Sequence, residues 1–101
     1  MRDNLPTIDL HGEDKITAII KTKEFINDSY KLGYTEVGII HGVGKGILRT
    51  AVHEELKKSE KVLEYEIDFL NSGVTYLKIK RIPWGSFLFI ANYIPLKNLT
   101  F

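Results

Sequence analysis

One arrangement, made twice, limits what this chain can become: an apolar run closes on His-Gly and opens into a helical pattern. "IDLHG" (residues 8–12) does so first, and "IIHGVGKGILRTAV" (39–52) does so again, with a glycine-rich turn between the run and the helix. Parallel strands need a crossover connection, usually a helix, and that crossover is right-handed. Two successive strand-helix units therefore predict an α/β sheet with both His-Gly elements beyond the carboxyl ends of parallel strands.

The rest of the pattern completes that sheet. Thr7-Ile8-Asp9-Leu10 reads as the first strand, broken at Gly12. Ile16, Ile19, Ile20, Ile26 and Tyr30 recur at helical spacing from Lys15 to about Leu32, with Asp14 as N-cap and Gly33 where a left-handed C-terminal residue belongs. Glu36 to Ile40 is the second strand. A second helix is predicted from about Lys45 to Lys58, with Ile47, Leu48, Ala51, Val52 and Leu56 as its buried stripe. His53, among Glu54 and Glu55, reads as a solvated surface residue. "VLEYEIDF" (62–69) alternates, Leu63, Tyr65, Ile67 and Phe69 facing one way and Glu64, Glu66 and Asp68 the other. Asn71-Ser72-Gly73 turns the chain, and "VTYLKIK" (74–80) returns antiparallel.

The expected order is β-α-β-α-β-β, a mixed sheet with its last strand antiparallel. The acidic face of residues 62–69 argues for helices on one side only, hence a two-layer α/β sandwich. With 101 residues there is material for one core. Residues 1–80 are read as the domain and 81–101 as an apolar C-terminal tail. That tail is apolar from Ile82 to Leu96 but interrupted by Pro83, Gly85, Asn92 and Pro95, so it falls short of a membrane span. It is expected to cover the helix-free sheet face or to form a homodimer contact. Base stacking by Trp84, Phe87, Phe89 and Tyr93 is the less common use of such residues.

Composition narrows the partner only a little. A net charge of +1 lacks the basic excess of most nucleic-acid binders, so any basic surface must be local. The absence of cysteine removes disulfides and thiolate metal sites and favours a cytoplasmic setting. The start, Met1-Arg2-Asp3-Asn4, has no apolar h-region, so no secretory leader is expected.

If the first two strands are neighbours, Asp9, His11 and His41 arrive at one edge, where ligands of open α/β sheets sit. Residues two apart on a strand share a face, so Asp9 and His11 can aim at one point. In "GVGKG", Gly42, Gly44 and Gly46 let the backbone approach a ligand, and the helix start after them suits an anion. Lys45 and Arg49, taken as i and i+4 on one helical face, add positive charge near a phosphate, and Lys57, Lys58, Lys78, Lys80 and Arg81 are candidates to extend that surface. Acid, imidazole, amides and cations together suit phosphodiester chemistry. His41 either touches substrate or holds the loop through hydrogen bonds. Asp9, His11 and His41 could hold a divalent metal, although their spacing matches no standard metal motif. Nucleotide cofactors fail on spacing: a Walker loop ending at Gly44-Lys45 would need glycine where Ile39 stands, and a dinucleotide fingerprint from Gly42 would need one at Ile47.

These elements resemble the Smr (small MutS-related) domain, found at the C-terminus of MutS2 proteins and as short standalone proteins. "IDLHG" is similar to that family's LDLHG element, "HGVGKGILRTAV" to its HGxGxG element with the following helix, and "FLNSGVTYLKI" to its closing Gly-Val-Thr strand. The resemblance spans roughly residues 7–80. It implies endonuclease activity on, or binding to, DNA or RNA, with some members acting at ribosomes. It maps the family's Asp-x-His pair onto Asp9 and His11 and its glycine element onto His41, Gly42, Gly44 and Gly46, and Asp9, His11 and His41 are the expected catalytic residues. It carries no certain cofactor, and it does not explain residues 81–101.

Overall fold

A computed structural model describes residues 4–83 of the chain. The order is β1 (Thr7–Asp9), α1 (Lys15–Leu32), β2 (Glu36–Ile40), α2 (Ile47–Lys58), β3 (Val62–Ile67) and β4 (Val74–Ile79). The four strands form one sheet in the order β1-β2-β4-β3. β1 pairs parallel to β2, and β4 pairs antiparallel to both β2 and β3. The first three strands thus share a direction, as expected from their helical crossovers. The last strand returns between β2 and β3 rather than at an edge.

α1 starts where Asp14 caps it, its carboxylate accepting from the Thr17 amide at 2.8 Å, and ends on Gly33 at φ 81°. The apolar periodicity that marks this helix coincides with its buried face only in part: Ile26 is buried and Tyr30 packs on the core, but Ile16 and Ile20 are exposed. Ala18, Thr22 and Ser29 point inward with Ile26, and the small residues let α1 lie close to α2. The core cluster joins Leu10, Val37, Ile39, Leu77 and Ile79 of the sheet side to Ala18, Ile26, Val52 and Leu56 of the helices. A bulge near the start of β3 pairs Val62 with Ile79 and Glu64 with Lys78, so Leu63 is the extra residue. Val62 and Tyr65 therefore pack on the core, while Leu63 is exposed and Phe69 is fully solvated beyond the strand end. The simple alternation expected over 62–69 is broken by that one-residue shift.

Among the described residues, no helix is long and apolar enough to cross a membrane. The roles expected for the tail, including those of Trp84, Phe87, Phe89 and Tyr93, lie outside the described residues.

Candidate functional site

The register Asp9↔Ile40 between the parallel strands brings the two His-Gly elements to the same sheet edge. They touch there: a Cβ on Gly42 would sit 3.2 Å from the His11 Cβ, and Gly42 has φ +83°. Leu10, between Asp9 and His11, is fully buried and pins the strand end to the core. Asp9 and His11 are consequently presented outward as a pair.

One carboxylate oxygen of that pair does two tasks. Asp9 Oδ1 lies 2.6 Å from His11 Nδ1 and accepts from the His11 amide at 3.0 Å. The hydrogen bond to His11 lowers the Asp9 pKa from its ordinary value, and the Asp9 side chain raises that of His11. The carboxylate holds the proton on Nδ1, which leaves Nε2 as the ring atom for exchange with a ligand. The His11 side chain is 70% exposed, so that nitrogen is reachable.

His41 occupies a different position. It is 3% exposed, with Nδ1 3.2 Å from the Gly42 carbonyl and Nε2 2.8 Å from Thr75 Oγ1. His53 Nε2 lies 2.8 Å from the same hydroxyl, and its ring stands edge-on to His41 and tilted against Tyr65. His53 is thus no solvated surface residue. Val52 and Leu56 set the buried stripe of α2, and His53 sits one residue from the first and three from the second. Burial lowers the pKa of both rings, and the positive charge of Arg49 acts in the same direction.

The glycine turn is held from below by the β3–β4 connection. The His41 and Gly42 amides donate to the Gly73 carbonyl at 2.9 and 3.0 Å, so the Gly42 amide is already committed within the protein. Gly44 lies within the turn, and Gly46 forms the N-cap of α2 at φ 80° without a side-chain cap. The helix begins two residues later than its pattern predicts because Gly46 is left-handed. Lys45 therefore precedes the helix, and the i,i+4 relation to Arg49 does not apply. Both cations nevertheless line one groove of about 610 Å³, together with His11, Gly42 and Gly46. Arg49 folds back over Gly46, its guanidinium 3.1 Å from where a Cβ would stand. Asn71 and Gly73 close the same groove from the β3–β4 side.

The outlying cations do not join this edge. Lys57 and Lys58 end α2, about 15 Å along its axis from Ile47 at the usual rise per residue. Lys78 pairs in register with Glu36, at the opposite end of β2 from the turn, and its ammonium is 3.0 Å from Glu64. Lys80 and Arg81 follow it away from the site. Among the described residues, no three metal-ligating side chains converge. His41 supplies no third ligand beside Asp9 and His11, since both its ring nitrogens have protein partners. The residues present do not fit the three-ligand metal set considered from the sequence.

Thr75, His53, Asn71 and Gly73 are the site residues that sequence reasoning missed. A single signal was available for the histidine, its place beside the buried stripe of α2. The other three follow from the insertion of β4 next to β2.

A two-layer α/β domain with Asp-x-His and His-Gly-x-Gly-x-Gly at adjacent strand ends defines a recognisable class. The Smr domain family model matches residues 8–80, and the chain belongs to that family. Endonuclease MutS2 of Aquifex aeolicus is 35% identical over 79 residues, covering 78% of this chain and 10% of that protein. Endonuclease MutS2 of a Geobacillus species is 40% identical over 76 residues, again 10% of its length. The chain thus spans about a tenth of these curated relatives. In fold it is similar to the Smr domain of Thermus thermophilus MutS2, with a TM-score of 0.73 at 24% identity over 75% of this chain and 99% of that one. It is also similar to YdaL, a stand-alone small MutS-related protein from Escherichia coli, with a TM-score of 0.71 at 23% identity over 74% and 64%.

Proposed function

We propose that this domain is a nucleic-acid endonuclease whose proton-transfer group is His11. The observation that carries the reading is the 2.6 Å contact between Asp9 and an exposed imidazole that lines a groove with Lys45 and Arg49. A carboxylate on Nδ1 orients the ring and stabilises its charged form, as beside histidine in acyl-transfer triads. On RNA, Nε2 would take the proton of the 2′-hydroxyl as O2′ attacks phosphorus, the P–O5′ bond would break to leave a 2′,3′-cyclic phosphate, and the departing O5′ would take a proton from water. On DNA, water would take the place of the hydroxyl. Lys45, Arg49 and the amides at the start of α2 would hold the phosphate and its growing charge. His41, with both nitrogens bound inside the protein, is read as support for the turn rather than as a contact to substrate. That the similar MutS2 proteins are named endonucleases agrees with this assignment.

The test is cleavage of labelled single- and double-stranded DNA and RNA by the purified protein, with and without EDTA. His11→Ala should remove cleavage while binding persists, a loss on the order of 10²–10⁴-fold for an acid–base group. Asp9→Asn should slow the reaction strongly, and EDTA should leave RNA cleavage intact. Complete EDTA inhibition would move Asp9 and His11 to metal ligation. Binding without cleavage by the unaltered protein would make the domain a non-catalytic nucleic-acid or ribosome-binding module.

A further inference from the structure

We propose that His53 and Thr75 are positioning residues that lock the Gly42–Val43 peptide through His41, so that the Val43 amide faces the groove as an anion donor. The inference rests on the phosphate cradle proposed above and adds a donor to it.

Hydrogen-bond arithmetic gives the chain its direction. The Gly42 carbonyl can only accept, so His41 Nδ1, 3.2 Å away, carries the hydrogen. A buried neutral ring has one such hydrogen, so Nε2 is a bare acceptor facing Thr75 Oγ1 at 2.8 Å. The threonine hydroxyl has a single hydrogen, and it is committed to His41. His53 Nε2, 2.8 Å from the same oxygen, must then be the donor. The chain runs one way, from His53 through Thr75 and His41 to the carbonyl of Gly42. No other assignment of neutral rings satisfies all three contacts.

The end of that chain acts on a peptide plane. In a trans peptide the carbonyl and the amide hydrogen point in opposite directions. Drawing the Gly42 carbonyl back towards the buried His41 ring turns the Val43 N–H the other way. Val43 and Gly42 both line the groove. Gly42, with no Cβ and a left-handed φ, offers little resistance to rotation of this plane, so the glycine that permits close approach also permits the wrong orientation. With the plane reversed, a carbonyl oxygen would meet the phosphate and repel it. The buried chain removes that alternative.

Three measurements on the full chain test this. Long-range ¹H–¹⁵N spectra should show His41 protonated on Nδ1 and His53 on Nε2; the reverse pattern would overturn the lock. Titration with inorganic phosphate should shift the Val43 amide resonance in the unaltered protein and in Thr75→Ser. In Thr75→Val, with the fold checked by circular dichroism, that shift should be lost and phosphate affinity should fall roughly tenfold, the worth of one hydrogen bond to a charged group. A Val43 shift preserved in folded Thr75→Val overturns the lock alone. Its absence in the unaltered protein overturns the cradle as well. The tautomer measurement needs no variant and so stands even if Thr75→Val does not fold.

Discussion

Three histidines in one small domain are pushed in two directions, and the difference separates their roles. His11 is exposed and gains a carboxylate, so its pKa rises from 6.5. His41 and His53 lose water, so theirs fall from 6.5. For His11 the pairing with Asp9 is fully present below pH 6.5 and fades as pH rises through the raised folded value. For the buried His41 and the half-buried His53 the unfolded chain takes up protons that the folded rings refuse, so stability drops as pH falls through 6.5 towards their lowered values. Imidazole NMR titrations should place the His11 midpoint above those of His41 and His53. Asp9→Asn should bring His11 back towards 6.5. If His11 acts as the base, the acid limb of the cleavage profile should move down in pH by the same amount in that variant. A limb that stays put while the NMR midpoint moves would assign the base to another group.

At the level of elements, the β3–β4 connection supports the site although none of its residues advertises chemistry. Asp68 ties it internally, accepting from the Tyr76 hydroxyl at 2.7 Å and the Leu70 amide at 2.7 Å. Gly73 then passes so close to the glycine turn that a Cβ would lie 2.9 Å from the Gly42 carbonyl carbon and 3.0 Å from the Val43 nitrogen. Both neighbours are backbone atoms, so a Cβ here can be relieved only by moving the turn itself. Gly73→Ala should therefore cost about 1–3 kcal/mol, the usual range for overpacking, and weaken phosphate binding by displacing the turn. Chemical denaturation and a phosphate titration check the two effects separately. Stability unchanged within error would mean that the close approach relaxes freely. This contact also marks the limit of the sequence. The strands, the helices and their order follow from local periodicity and caps, and the span of α1 is legible to the residue from Asp14 and Gly33. That β4 enters between β2 and β3 is a tertiary choice, since hairpin adjacency says only that β4 pairs with β3. Thr75 and Gly73 reach the site through that choice. So does the partial burial of His53, whose partner is on β4.

Over the whole molecule, a net charge of +1 must be reconciled with the nucleic-acid ligand proposed above. Distribution resolves it. On the helix-free face, Lys78 stands in register between Glu36 and Glu64, and Glu66 follows on the same side, so that face offers a phosphate backbone no cationic stripe. The glycine-turn edge holds Lys45 and Arg49 around one groove. Binding should therefore be confined to this edge and depend on few phosphates. Each neutralised phosphate contributes roughly 0.7–0.9 to the slope of log affinity against log salt, so two contacts predict a slope of only about 1.4–1.8. A basic stripe running through Lys57, Lys58, Lys78 and Lys80 would instead give a slope of about 2.8–3.6, twice that steepness. Lys45→Ala with Arg49→Ala should flatten the dependence almost completely and lower affinity for all sequences alike. Lys57→Ala with Lys58→Ala, at the far end of α2, should leave the slope intact. Fluorescence anisotropy across a salt series measures both. A steep slope lost through the α2 end, rather than through the turn, would move the nucleic-acid surface to the opposite end of the domain and detach it from Asp9 and His11.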